Sequence, residues 1–273
     1  MRIPFRVVGG KFVILTRKNL DNKMKKLLFD ALLLIFLTVA SFCLILSLKP
    51  VQVKIMCFNV QHCVGMDTVL DYDRTANVII AQQPDIVALQ ELDSMTERSK
   101  FHYQLGELAS RTSYHDIFGK AIKFDSGTYG IGVLTREMPL STKSIALPGD
   151  EPRLLLVVEM KNYVLACTHL DLEEEPRLES VPLIVDEAKL WQKPFIIAGD
   201  FNDSIDSPLL KEITKHFTIN SGDEPTFPAD EPNERIDYVA SFKNHPVLTI
   251  ESMVVADTMA SDHRPLMVKL QLP

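Results

Sequence analysis

The sequence predicts an α/β domain in which two packed sheets carry helices on their outer faces. Three observations lead there. Strand-like runs outnumber helix-like ones. Several of those runs are short and apolar throughout, as at Ile86 to Leu89 and Phe195 to Ala198, the pattern of strands buried on both faces. Helical spacings recur between them, at 73–83, 102–110 and 176–191.

In chain order, residues 1–26 are basic, with Arg2, Arg6, Lys11, Arg17, Lys18, Lys23, Lys25 and Lys26 against Asp21. An apolar run follows over 27–48, with Asp30 its one charge. Ala31 to Leu48 is at the short end of a membrane-spanning helix. The preceding basic flank predicts a cytoplasmic N-terminus, a signal anchor and an exported remainder. A signal peptide cleaved to release a secreted or periplasmic domain is the alternative, although the small-residue pattern Thr38-Val39-Ala40 falls inside the apolar run. Met24-Lys25-Lys26 also reads as a start.

Residues 50–273 read as one domain, without repeats or a low-complexity linker. Val51 to Phe58 is rich in β-formers. Asp73 to Gln83 has helical spacing, with Asp71 or Asp73 as cap, and Pro84-Asp85 ends it. Ile86 to Leu89 is a buried strand, Tyr103 to Ser110 a short helix, and Ile131 to Leu134 a strand entered through glycines. Arg153 to Met160 and Tyr163 to His169 form a hairpin about Lys161-Asn162. Pro176 to Trp191 is helical, and the run before Asp200 is a central strand. Lys211 to His216 is a helical turn; Ile236 to Ala240, Val247 to Val255 and Leu266 to Leu270 are the last strands.

Charge is unevenly shared. Of 29 Lys/Arg and 36 Asp/Glu, residues 1–49 hold 9 and 2. That leaves 20 and 34 in residues 50–273, a net of −14. Such a domain repels a polyanion at long range, which argues against avid non-specific nucleic-acid binding. It admits a phosphate substrate where a divalent cation reverses the sign locally. The four cysteines have neither a disulfide framework nor metal-ligand spacing, so Cys57 and Cys167 read as buried thiols.

Polar residues stand at the ends of the apolar strands: Asn59, Glu91, His169 with Asp171, Asp200 with Asn202, Asp237, and Asp262-His263. In extended backbone Asp200 and Asn202 point the same way, so carboxylate and carboxamide can together orient a water. Singly, each has an ordinary structural role. Asp200 and Asn202 could close an Asx-turn, and Asp237 could pair with Arg235. Together they describe a cluster of carboxylates and histidines at one rim of a sheet pair.

The chain resembles the endonuclease/exonuclease/phosphatase superfamily across about residues 53–270. The carriers are Cys57-Phe58-Asn59-Val60, Asp85 to Leu92, Tyr129 to Leu134, Thr168-His169-Leu170-Asp171, Gly199-Asp200-Phe201-Asn202, Arg235 to Val239 and Ser261 to Leu266. The resemblance implies a DNase I-like four-layer αββα sandwich. It implies that Glu91, Asn59 and Asp262 hold Mg²⁺ or Mn²⁺, hard cations suited to oxygen ligands. Asp200 would orient or deprotonate water, and Asn202 would contact a phosphoryl oxygen. His263, its tautomer fixed by Asp237, would contact the phosphate or act as base. His169 would donate to a phosphate oxygen or the leaving group. Tyr129 and Gly130 would line the cleft and Asp171 would shape it. Arg153 and Arg177 would bring positive charge to substrate, unless they serve as ordinary ion pairs. The expected activity is metal-dependent hydrolysis of a phosphodiester or phosphomonoester, the substrate being a lipid headgroup, a small phosphorylated molecule or nucleic acid. A nuclease and an inert membrane-tethered binding module are the alternatives. No protein partner is expected.

Overall fold

The computed structural model describes residues 7–8, 11–12, 17–47 and 50–273, with side chains in the N-terminal part covered over 21–39 and 41. The chain forms two compact units, Met1–Lys49 and Pro50–Pro273. The first holds a two-residue strand pair, β1 (Val7–Val8) and β2 (Lys11–Phe12), and helix α1 (Arg17–Ser47). The helix starts within the basic segment, ten residues before the apolar run at Leu27. Leu27, Leu28, Phe29, Leu34, Ile35 and Phe36 are exposed on it. Among the described residues no helix is long and apolar enough to cross a membrane. The anticipated span from Ala31 to Leu48 runs partly beyond them.

The second unit holds two six-stranded mixed sheets. One has the order β13 (Leu248–Val254), β14 (Leu266–Gln271), β3 (Gln52–Asn59), β4 (Ile86–Ser94), β6 (Gly127–Thr135), β5 (His115–Phe124). The other has β11 (Phe217–Ile219), β12 (Asp237–Phe242), β10 (Phe195–Asp200), β9 (Val164–His169), β8 (Arg153–Glu159), β7 (Ser141–Leu147). A core including Ile55, Ala88, Val133, Leu156, Leu165 and Ile196 lies between the sheets. A second core packs α4 (Glu174–Lys189) and α5 (Pro208–His216) on the outside of one sheet. A third packs α2 (Tyr72–Gln82) and α3 (Gln104–Thr112) on the outside of the other. The result is four layers. The strands alternate between the inner and an outer core, which is why they read as apolar throughout.

Local chemistry sets the boundaries. Asp71 caps α2 by accepting from the Arg74 N–H at 3.0 Å, and the helix ends at Gln83 in a left-handed conformation. Ser207 caps α5, with Pro208 in its first turn. The β8–β9 pair is antiparallel, as its hairpin spacing predicts. Strand β4 runs on to Ser94, past the predicted end at Leu89. A register shift between Leu89 and Leu92 bulges it at Gln90 and Glu91. Strands β5 and β7 at the sheet edges have no counterpart in the sequence reading, and neither has the short β11. Between the sheets, Gln90 bridges two thiols. Its Oε1 accepts from Cys57 Sγ at 3.7 Å, and its Nε2 donates to Cys167 Sγ at 3.4 Å.

Gly199 tests the close approach of β10 to β9. A Cβ there would stand 2.1 Å from the Thr168 carbonyl oxygen, a backbone atom that cannot swing aside. Gly199→Ala is expected to destabilise the chain by about 1–3 kcal/mol, read as a lower urea midpoint. An unchanged midpoint would show that the strands part without cost.

Candidate active site

Strand pairing assembles most of the site. His169, Asp200 and Asp237 occupy one cross-strand row on β9, β10 and β12. Three adjacent residues in register project from one side of the sheet. On the other sheet, Asn59 ends β3 opposite Gln90. Glu91 follows in the β4 bulge at φ 59°, a left-handed backbone that turns its side chain out of the strand's alternation. The loop before β14 brings Asp262 and His263. It is pinned to β3 by Ser261 Oγ, which donates to the Asn59 carbonyl at 2.7 Å.

Asn59 joins the two sheets. Its Nδ2 donates to Glu91 Oε1 and to Asp200 Oδ2, both at 3.1 Å, while its Oδ1 accepts from the Gln61 N–H. Two carboxylates that can only accept fix the amide this way round. Asn59 was expected as a metal ligand, but its carboxamide oxygen faces the backbone and not Glu91.

Asp200 is buried. His169 Nε2 lies 3.6 Å and His263 Nε2 3.7 Å from its Oδ2. Burial, then the charge on Asp237, raises its pKa to about 7. His263 Nδ1 meets Asp237 Oδ2 at 2.9 Å, and Thr226 Oγ1 donates to the same oxygen at 2.6 Å. Burial alone would lower the His263 pKa, but the charge and hydrogen bond of Asp237, joined by Asp200, outweigh it and push it up to about 10. His169 goes the opposite way. Burial, then Arg153 and His263, hold it well below the usual imidazole range. Arg153 Nη1 lies 3.1 Å from its Nδ1. A guanidinium can only donate, so Nδ1 accepts and the ring proton sits on Nε2, the edge turned to Asp200.

Asn202 departs from the extended geometry. It is left-handed at φ 53°, and its N–H donates to Asp200 Oδ1 at 2.9 Å. This is the Asx-turn, with the Asn202 carboxamide donating to the Leu170 carbonyl at 2.9 Å. Asp171 accepts from the Glu173 N–H and lies 3.9 Å from Arg153 Nε. Arg153 and Arg177, both expected near substrate, are buried among protein groups. Arg153 lies between Glu151, Asp171 and His169, and Arg177 between Asp203 and the carbonyls of Asp171 and Leu172. Arg235 pairs with Asp223, leaving Asp237 to His263. Tyr129 is half-buried on β6, across from Asp93, and Gly130 follows it.

The donor set fits a hard divalent cation at Glu91 and Asp262. Burial and then the Asp262 charge raise the Glu91 pKa, a repulsion that a cation between the two would relieve. Mg²⁺ is usually held by one or two carboxylates, with water and phosphate oxygens completing its shell. A second trio, Asp200, Asp237 and His263, brings one ligand atom each within 4.8 Å of the others. His263 Nδ1 meets Asp237 there and its Nε2 lies 3.7 Å from Asp200 Oδ2, whereas Glu91 and Asp262 offer oxygen alone, the ligand type a hard cation prefers. Thr226, which holds Asp237, has no counterpart among the residues the sequence singles out. A lone threonine in a loop carries no periodic signal.

The family model described as "Endonuclease/Exonuclease/phosphatase family" matches residues 56–263. No curated protein matches the sequence. Among solved structures, an endonuclease/exonuclease/phosphatase from Beutenbergia cavernae DSM 12333 is 23% identical, with a TM-score of 0.70 over 82% of this chain and 72% of its own. A mannosyl-6-phosphatase of Bacteroides thetaiotaomicron VPI-5482 is 17% identical, with a TM-score of 0.66 over 80% and 99%. The human Nocturnin catalytic domain, with a bound sulfate anion, is 17% identical, with a TM-score of 0.63 over 82% and 94%. At these identities the structures speak for the fold, a DNase I-like α/β sandwich. With a family model spanning most of its length, the chain belongs to the endonuclease/exonuclease/phosphatase family.

Proposed function

We propose that Pro50–Pro273 is a divalent-cation-dependent phosphoesterase in which water attacks phosphorus in line and displaces the ester oxygen. The observation that supports it most is the buried Asp200, whose Oδ2 accepts from Asn59 and lies within 3.7 Å of the Nε2 atoms of two histidines. A pKa near 7 suits a general base, which must be ionised yet able to take a proton at working pH. Asp200 Oδ2 takes the proton of the attacking water. Cationic His263, held by Asp237, turns its Nε2–H to a non-bridging phosphoryl oxygen as negative charge grows there. Neutral His169 donates its Nε2–H to a second oxygen or to the departing one. Glu91 and Asp262 are the residues that would hold a divalent cation, which when bound would supply Lewis-acid stabilisation of the phosphoryl charge. The net charge of −14 over residues 50–273 disfavours a polyanion. Small or lipid-linked phosphate esters therefore stand ahead of nucleic acid as substrates.

Hydrolysis of bis-p-nitrophenyl phosphate and p-nitrophenyl phosphate by the full chain tests this, with Mg²⁺, Mn²⁺ or EDTA. Activity should require metal. Asp200→Asn and His263→Ala should each lower kcat by about 10²–10⁴-fold. Activity that persists in EDTA or in either variant would refute the assignment.

Stability against pH checks the dyad without turnover. The folded chain keeps the His263 proton to about pH 10, whereas the unfolded chain keeps it only to about 6.5. Its contribution is therefore complete below pH 6.5 and lost as pH rises towards 10. Asp200, raised to about 7 from 3.8, likewise loses its contribution as pH climbs through 7. His169 has the reverse sign, and its contribution is lost as pH falls below 6.5. In EDTA, urea unfolding should show stability falling from pH 7 to 10, and Asp237→Asn should flatten that slope. An equal slope in the variant would place the proton elsewhere.

A further inference from the structure

We infer that a cavity at the far end of the sandwich from Asn59, His169 and Asp200 binds a small organic cation, an ammonium or guanidinium group on a short apolar body. The site is separate from the catalytic cluster and does not rest on the phosphoesterase reading.

Strand direction places the cavity, which has a volume of about 190 Å³. Strands β3 and β9 end at Asn59 and His169 in the catalytic cluster. The cavity lies at their other ends, lined by Val53 near the start of β3 and by Tyr163 just before β9. Asp85, just before β4, and Thr135, the last residue of β6, add to the wall from the first sheet, and Met160, just after β8, to that from the second. Val53, Met160 and Tyr163 belong to the core between the sheets, so the cavity is the open end of that core. Its walls are held by backbone. The Lys54 N–H donates to Asp85 Oδ2 and the Asp85 N–H to the Lys54 carbonyl, both at 2.8 Å. The Arg136 N–H donates to the Asp85 carbonyl at 3.1 Å, and the Met160 N–H to the Tyr163 carbonyl at 2.9 Å.

Three acceptors in this cavity are left open. Tyr163 is only 8% exposed, yet its hydroxyl has no hydrogen-bond partner among the described residues. A buried tyrosine usually finds one. Asp85 uses one carboxylate oxygen on the Lys54 N–H and has no ion-pair partner among the described residues. Glu137, at the mouth, has its carbonyl bonded by Thr135 Oγ1 at 3.1 Å, while its carboxylate meets no partner among those residues. Arg136 is the one cation in the lining. Its Nε donates to the Pro84 carbonyl and to the Tyr114 hydroxyl, both at 2.9 Å, and its guanidinium carbon stands 5.3 Å from the centre of the Tyr114 ring. It forms no ion pair with Asp85 or Glu137.

Charge and shape select the ligand. Two carboxylates stand against one guanidinium that is engaged on Tyr114, so the cavity favours a cation. The Tyr163 hydroxyl feels both carboxylates: burial, then Asp85 and Glu137, push its pKa up. An ammonium carries three donors and no acceptor. Asp85, Glu137 and the Tyr163 oxygen offer three acceptors to match. Val51, Val53 and Met160 give the cavity an apolar wall. That wall suits the body of an organic cation, whereas a bare metal ion calls for oxygen ligands on most sides.

Titration calorimetry of the full chain, in EDTA and an amine-free buffer, tests this with n-butylamine and n-butylguanidine against 1-butanol and butyrate. At least one of the two cations should bind with a Kd of about 1 mM, about tenfold tighter than 1-butanol, and butyrate should not bind. Glu137→Gln and Tyr163→Phe should each weaken that cation about tenfold. Both variants should fold, since Glu137 is exposed and the Tyr163 ring remains in the core. Urea unfolding gives a second readout. At about ten times its Kd the cation should lower the unfolding constant about elevenfold, and only about twofold in either variant. Asp200→Asn should bind the cation as the unaltered chain does. Butyrate binding, cations no tighter than 1-butanol, or an affinity unchanged in both variants would overturn the inference. Loss of binding in Asp200→Asn would place the cation in the catalytic cluster and overturn it too. So would displacement of the cation when millimolar Mg²⁺ replaces EDTA, which would mark a metal site.

Discussion

The Asn59 carboxamide holds the site in one piece. It ends a strand of one sheet and donates at once to Glu91 beside it and to Asp200 on the other sheet. Each sheet alone carries half of the polar cluster. Packing of the inner core sets the distance between the halves, and one amide fixes their register. Because its oxygen is held by the Gln61 backbone, the amide cannot turn over without losing three hydrogen bonds. Whatever cation the rim takes, this bridging places the Glu91 carboxylate.

The same low dielectric drives the two histidines apart. His263 meets a carboxylate at Nδ1 and stays charged, while His169 meets a guanidinium there and stays neutral. Their Nε2 atoms approach the same oxygen of Asp200. The two rings therefore face, from either side, a carboxylate whose pKa burial and the Asp237 charge raise to about 7. The difference between the rings comes wholly from second partners, Asp237 with Thr226 on one side and Arg153 on the other. Such separation of neighbouring titrating groups is the usual route to assigning acid and base.

Residues buried on both faces were readable in the sequence because burial leaves an unbroken apolar signature. Ile86 to Leu89 and Phe195 to Ala198 are such strands, and the polar residues closing them are the core of the site. Where one side of the backbone is open, the signature fades. Edge strand β5 carries His115, Asp116, Lys120 and Lys123, and β7 reads Ser141-Thr142-Lys143-Ser144 before its first large apolar residue. The direction of Asn202 was misjudged because the strand does not continue past Asp200, and an Asx-turn rotates the residue away. The positions of Arg153 and Arg177 were open to either reading, since sequence cannot tell an arginine facing substrate from one facing buried carbonyls.

The thiol–amide–thiol bridge through Gln90 bears on how this protein meets oxidants and electrophiles. Cys57 and Cys167 are fully buried, and desolvation lifts both thiols, Cys167 to about 12. Almost no thiolate exists at neutral pH, and none is within reach of a reagent in the closed state. Modification must wait until the two sheets separate. The sulfurs thus act as a built-in clock: the rate at which a thiol reagent consumes them measures how often the inner core opens, and a metal or ligand that clamps the rim above should slow that clock.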